Sequence, residues 1–192
     1  MSTMTTSTTL ANATRVLHDV GLAAWVGGSL FGKFALNPAV ATVEKKTDRG
    51  KVVNAAWNGY NVINTLSLGA VTAGWLGARV TETRPENLSD TERALSLAKD
   101  GLVAAAVVTG VLNGIQGGRL AKQAPEGAVP IETGLTPAPE TPPEAAKIQR
   151  SLGLFGNLNI ITGVTLVAVN AVLAQLNYSR PPLRRGVMRR SS

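Results

Sequence analysis

The chain has 192 residues, 44% hydrophobic and 16% charged, with no cysteine and one histidine. That composition excludes a disulfide framework, a thiolate metal site, a thiol nucleophile and a two-histidine haem clamp within one chain. The net charge of +7 lies in the segments between apolar runs and in the C-terminal tail, which points to anionic lipid headgroups rather than nucleic acid.

Residues 1–15 read as an N-terminal tail. The run Val20–Gly32 is uncharged for 13 residues and is extended by Val16–Asp19 and Lys33–Leu36, giving a first span near 16–36. A signal-peptide reading needs small residues at a cleavage site, but Lys33, Phe34, Leu36, Asn37 and Pro38 follow. Lys33 at a helix end can snorkel its amine to the headgroups. Ala24, Gly28 and Gly32 recur every fourth residue, a seam for close helix approach. His18 and Asp19 stand at the start of this span. Ionisable groups near a membrane are functional candidates, although an interfacial position lets both reach water. A metal or haem ligand role for His18 requires a second ligand from another subunit or from a carboxylate such as Asp19.

Val52–Ala78 carries no charge over 27 residues and predicts a second span near 52–78. As a helix it covers about 40 Å, against a hydrocarbon core about 30 Å thick. Asn54, Asn58, Asn61 and Thr65 are spaced four, three and four apart, so they share one face. An amide turned to lipid loses its hydrogen bonds. This face must look inward or at a partner, as inter-helix glue or as the wall of a polar cavity for a small ligand, quinone headgroup or ion.

Ser89-Asp90-Thr91-Glu92 has capping-box spacing, which starts the third helix near Asp90, outside the hydrocarbon. The third span lies near 96–118 and contains the uncharged run Gly101–Gly118. Its Asn113 and Gln116 can meet the polar face of span 2. Gly110, Gly114 and Gly118 form a second small-residue seam, suited to packing within the bundle or to a homodimer. Lys122–Lys147 holds six prolines and four glutamates, which predicts an extended loop over 122–147, a connector or a docking strap. Ser151–Ser179 is uncharged for 29 residues and supplies a fourth span near 153–177, carrying Asn157 and Asn159. Residues 180–192 form a basic tail.

Aligning Trp57 with Phe155 also pairs Asn61 with Asn159, Ile63 with Ile161, Leu68 with Leu166, Ala70 with Ala168 and Val71 with Val169. This suggests a duplicated helical hairpin. The expected fold is all-α, an integral membrane four-helix bundle with its membrane domain over 16–179. With four spans, one side holds ten Lys and Arg residues, including five tail arginines, and the other eight, with Lys33 at a helix end. The bias predicts cytoplasmic termini in a plasma (inner) membrane.

The run Leu17-His18, then Trp25-Val26-Gly27-Gly28, then Asn37-Pro38 resembles the first helix of copper-resistance D-type membrane domains. It also resembles a related uncharacterised family of small four-helix bacterial membrane proteins. The placement of the asparagine-bearing spans 2 and 4 is similar too. The resemblance covers the four spans, leaving out the Pro-rich loop and the tail. It implies a four-helix membrane protein; through the copper-linked relatives, it makes His18 the matching candidate ligand.

No Ser-His-Asp set, in-span carboxylate pair, phosphate loop or nucleotide fingerprint is visible in the sequence. The expected function is therefore non-enzymatic and without a cofactor: an accessory subunit of a larger membrane assembly such as a respiratory complex. Its partners would be the lipid bilayer and other membrane proteins or further copies of itself. The alternative is a small membrane carrier or ligand- or metal-binding protein, with a polar cavity between spans 2 and 4.

Overall fold

The computed structural model describes residues 2–81, 83, 88–124 and 128–178; the basic tail and Arg84 lie outside them. Four long helices dominate: α1 (Ser2–Phe31), α2 (Lys46–Thr81), α3 (Asp90–Ala121) and α4 (Pro143–Tyr178). Helix α1 begins at Ser2, so the segment expected as a tail is helical. Its other end turns over Pro38. A π-helical turn, Gly32–Leu36, precedes a single turn, Asn37–Ala39, and a 3₁₀ turn, Val40–Thr42. Proline cannot donate to the carbonyl one α-turn back and crowds it. The widened turn relieves that clash, and the Asn37 N–H bonds to the Gly32 carbonyl instead. The start of α3 follows its sequence signal: the Ser89 and Glu92 side chains cap each other's backbone N–H in a capping box.

Consecutive helices run antiparallel. Gly74 meets Thr14 and His18 while Gly32 meets Trp57, so α1 and α2 pass in opposite directions. Lys99 bonds Asn170 and Gln116 bonds Ser151, which sets α3 against α4 in the same way. Trp25 bonds Asn159 and closes the ring from α1 to α4. At mid-height a buried cluster of Leu22, Trp25, Val26, Val71, Trp75, Val103, Ala106 and Leu166 draws side chains from all four helices. The described chain is thus an all-helical, up-down-up-down bundle with no named strands.

Its outer surface is apolar. Val20, Phe31, Val62, Leu66, Val111, Ile115, Ile161 and Val164 are all exposed. Two of the helices, α3 and α4, are long and apolar enough to cross a membrane. Four spans were expected, and the reason for the difference is chemical. The N-terminal half of α1 is rich in Thr and carries Arg15, His18 and Asp19, whereas α2 spreads four asparagines along its first half. A run without charge is not thereby apolar.

The small-residue seams are also redistributed. Gly28 and Gly32 of the first seam accept the rings of Tyr60 and Trp57, and the Ala24 carbonyl accepts from the Tyr60 hydroxyl at 3.2 Å. Of the second seam, Gly110 meets Leu68, but nothing lies within 4 Å of where a Cβ would stand on Gly114 or Gly118. Those two are exposed, because α3 turns this stretch outward. At Gly21 and Gly74, outside either predicted seam, a side chain would strike the backbone of the facing helix.

The Pro-rich segment is a folded cap, not an extended connector. Val129 and Ile131 pack with Val40 and Ala145 in a second buried cluster. The Ile131 N–H bonds to the Lys46 carbonyl at 3.1 Å and the Gly134 N–H to the Asn37 carbonyl at 2.9 Å. A side chain on Gly134 would strike the Asn37 amide. Proline suppresses regular structure in this segment, but the apolar residues between the prolines still find cover.

A strap of charge holds the cap. Lys46 Nζ lies 2.7 Å from Glu132 and 3.1 Å from Glu140, and Arg49 lies 3.1 Å from Glu132. The bonds to Glu132 and then Glu140 raise the Lys46 pKa. Glu132 is lowered chiefly by the Lys46 ammonium, and Glu140 by its own backbone N–H and then by Lys46. Lowered carboxyls stabilise the fold above their ordinary range and lose that contribution as pH falls through the lowered values. The raised lysine contributes below its ordinary value and is lost as pH climbs past the raised one. Hydrogen-exchange protection of the Ile131 and Gly134 amides should therefore hold across neutral pH. It should fall below about pH 4 and again well above pH 10, and weaken with added salt. Flat protection across that series would show that apolar packing alone holds the cap.

Candidate ligand chamber

Beneath the cap, the four helices line a partly open cavity of about 170 Å³. Eight asparagines line it: Asn37, Asn54, Asn58, Asn61, Asn64, Asn113, Asn157 and Asn159. The π turn of α1 contributes Lys33, and the turn after it Asn37. The first half of α2 contributes the run Asn54–Asn64, the last turns of α3 contribute Asn113, and α4 contributes Gln149, Asn157 and Asn159. Residues Val129–Leu135 of the cap form the roof.

Several of these groups are committed to the fold. Asn37 Oδ1 accepts from Trp57 Nε1 at 3.1 Å, which fixes the indole against Gly32. Tyr60 donates its hydroxyl to the Trp25 carbonyl at 2.7 Å, at the cavity floor. Asn159 is buried and fully used: it accepts from Trp25 Nε1 at 2.9 Å and donates to Thr109 Oγ1 at 3.0 Å. Others are open. Among the described residues the side-chain amides of Asn58, Asn61, Asn64 and Asn113 make no hydrogen bond. Lys33 donates to Asn157 Oδ1.

The polar face read from the sequence is therefore mostly here, with two exceptions. Thr65 is exposed and bonds back to the Asn61 carbonyl of its own helix at 2.8 Å, the usual way a threonine satisfies itself in a helix. Gln116 turns to Ser151 at 2.6 Å and does not line the cavity. Asn64 takes the place expected of Thr65, since it stands one further i+3 step along the same face. Asn37, Trp57, Tyr60 and Gln149 also belong to the wall. The i+3 spacing from Asn61 signals Asn64; nothing local signals Gln149, which reaches the site only because the cap folds back. The aligned asparagines of spans 2 and 4 play unlike parts, Asn159 as a buried clamp and Asn61 as an open amide.

The opposite end of the bundle carries a charged network. His18 is buried, with Nδ1 3.0 Å from Asp19 Oδ1. Asn170 donates to the same Asp19 oxygen at 2.9 Å and accepts from Lys99 Nζ at 2.6 Å. Lys99 is itself buried and sits 4.3 Å from the Trp75 ring centre. Trp75 Nε1 donates to Asp100 at 2.7 Å, and Asp100 pairs with Arg79 at 3.2 Å. Side chains from all four helices are tied together. His18 was expected within reach of water; packing against Gly74 buries it instead. Among the described residues no group of three or more His, Cys, Asp and Glu side chains gathers as a metal site. His18 Nε2 has no hydrogen-bond partner among those residues.

The chamber is chemically suited to holding a small polar molecule: free amides offer both donors and acceptors, two aromatic rings set edge to face give apolar surface, and one ammonium adds charge. The chain matches no family model, no curated protein and no solved structure.

Proposed function

We propose that this protein binds a small polar ligand in the asparagine-lined chamber, as a membrane carrier or ligand-binding protein rather than a catalyst. The observation that carries this reading is the group of four open amides around one partly open cavity, Asn64 and Asn113 half-buried and Asn58 and Asn61 exposed. Half-buried amides are normally paired, and helices that needed only glue would spend them on one another. Lipid as the surrounding medium is supported by the apolar outer faces of the bundle and by the hydropathy of α3 and α4. An apolar exterior of this extent is unfavourable in water. On this reading all four helices cross the plasma membrane, α1 and α2 shielded in part by α3 and α4, with the termini and the His18–Lys99 end cytoplasmic.

Native mass spectrometry of the full-length protein, released from its own membranes, should show a small non-lipid adduct. Replacing Asn61 and Asn113 together with leucine should remove the adduct and leave thermal stability within a degree or two, because neither amide bonds to the protein. An adduct that persists in this variant would place the ligand elsewhere.

A second reading, an accessory subunit or homo-oligomer, is favoured by the outward Gly114 and Gly118, which leave a shallow strip on α3. A single, monodisperse monomer in mild detergent would reject it.

A further inference from the structure

The chemistry of the chamber wall selects among ligands. Among the lining residues Lys33 is the one with a charge; no carboxylate lines the cavity. Its ammonium rests on the Asn157 amide and lies 5.4 Å from the Phe34 ring centre. Among the described residues it has no carboxylate within ion-pair distance. Glu132, in the nearby cap, is already held by Lys46 and Arg49. Half-exposed at the edge of the cavity, this ammonium is the one formal charge among the lining residues, so an anion in the chamber is attracted by it and a second cation repelled.

We propose that the chamber takes a small organic carboxylate, about the size of one substituted six-membered ring, with Lys33 as its counter-charge. The size follows from the cavity volume of about 170 Å³, since a cavity of about 150 Å³ holds benzene. The charge follows from the lone ammonium. Free amide N–H groups of Asn61 and Asn64 supply further donors to the carboxylate oxygens, the rings of Trp57 and Tyr60, edge to face with each other, give apolar surface for a ring, and charge-assisted bonds outweigh neutral ones. An amine ligand would face Lys33 with no compensating carboxylate. This proposal rests on the chamber being a ligand site, and its test separates the two.

The probes are benzoate, benzamide and benzylamine, alike in size and respectively negative, neutral and positive at pH 7. Calorimetric titration into full-length protein in zwitterionic nanodiscs, with empty nanodiscs subtracted, should show benzoate binding about tenfold or more tightly than benzamide. Benzylamine should not bind. Lys33→Gln should bring benzoate down to the benzamide level, and Lys33→Arg should preserve the preference. The wild-type ratio needs no variant, so misfolding of Lys33→Gln would not blunt the test. Equal binding of benzoate and benzamide would overturn the carboxylate assignment while leaving the chamber a ligand site. Benzoate binding indifferent to Lys33→Gln would overturn the counter-charge. Failure of all three probes beside a persistent native adduct that Asn61 and Asn113 control would reject the carboxylate alone; failure of both would reject the chamber.

Discussion

Trp75→Ala should lower the stability of the bundle by about 3–5 kcal/mol, in the range of buried aromatic truncations. The ring is 4% exposed and sits in the four-helix cluster. It also gives Lys99 a π face at 4.3 Å and Asp100 a donor at 2.7 Å. Truncation opens a cavity, removes a desolvated cation–π contact worth about 2 kcal/mol, and leaves the buried ammonium with only Asn170. Trp75→Phe isolates the contributions. It keeps a ring beneath Lys99 and loses the donor to Asp100, which retains Arg79, so its loss should be about 1–2 kcal/mol. Unfolding in mixed detergent micelles, followed by circular dichroism, measures both. Equal losses for the two variants would mean that the hydrogen bond, and not the ring, holds this end together.

Gly74→Val should separate the α1–α2 hairpin, with a loss of about 3 kcal/mol or more. An added Cβ would lie 2.6 Å from the Thr14 carbonyl oxygen and 2.8 Å from the His18 backbone nitrogen. Helix backbone, not a side-chain tip, stands in the way, and overpacking against a rigid neighbour is relieved only by moving the helix. Gly59 and Gly69 on the same helix have nothing within 4 Å. Alanine at either should be neutral or stabilising by up to about 1 kcal/mol, the helix-propensity difference. The opposite signs make the comparison decisive: similar losses at Gly74 and Gly59 would show that glycine flexibility, and not the seam, matters in α2.

Helix number and boundaries were legible where the signals are local. The Ser89–Glu92 pair marks the start of α3 directly, and long charge-free runs mark the centres of α2 and α4. Length and hydropathy sufficient to cross a membrane were legible for α3 and α4, but absence of charge overstated the hydropathy of α2, whose asparagines line the chamber. The chamber was half legible, since i, i+3 and i+4 spacing finds an amide face without telling whether its amides pair with one another. Gln149 and Asn37 could not be read, because their roles depend on a proline-rich segment folding back across the bundle end. Lys99 and Asp100 look like ordinary charges at a helix start. The burial of Lys99 and the pairing of Asp100 arise from tertiary packing against Trp75, Asn170 and Arg79, which no local pattern carries.

Below the chamber floor the Trp25–Asn159 bond and the packed Val71, Val103, Ala106 and Leu166 fill the bundle axis. A solute arriving from the roofed end thus reaches a cul-de-sac in this arrangement. For the carrier proposed above, transit to the His18–Lys99 end would require the indole of Trp25 to let go of Asn159 and the packed side chains beneath it to part.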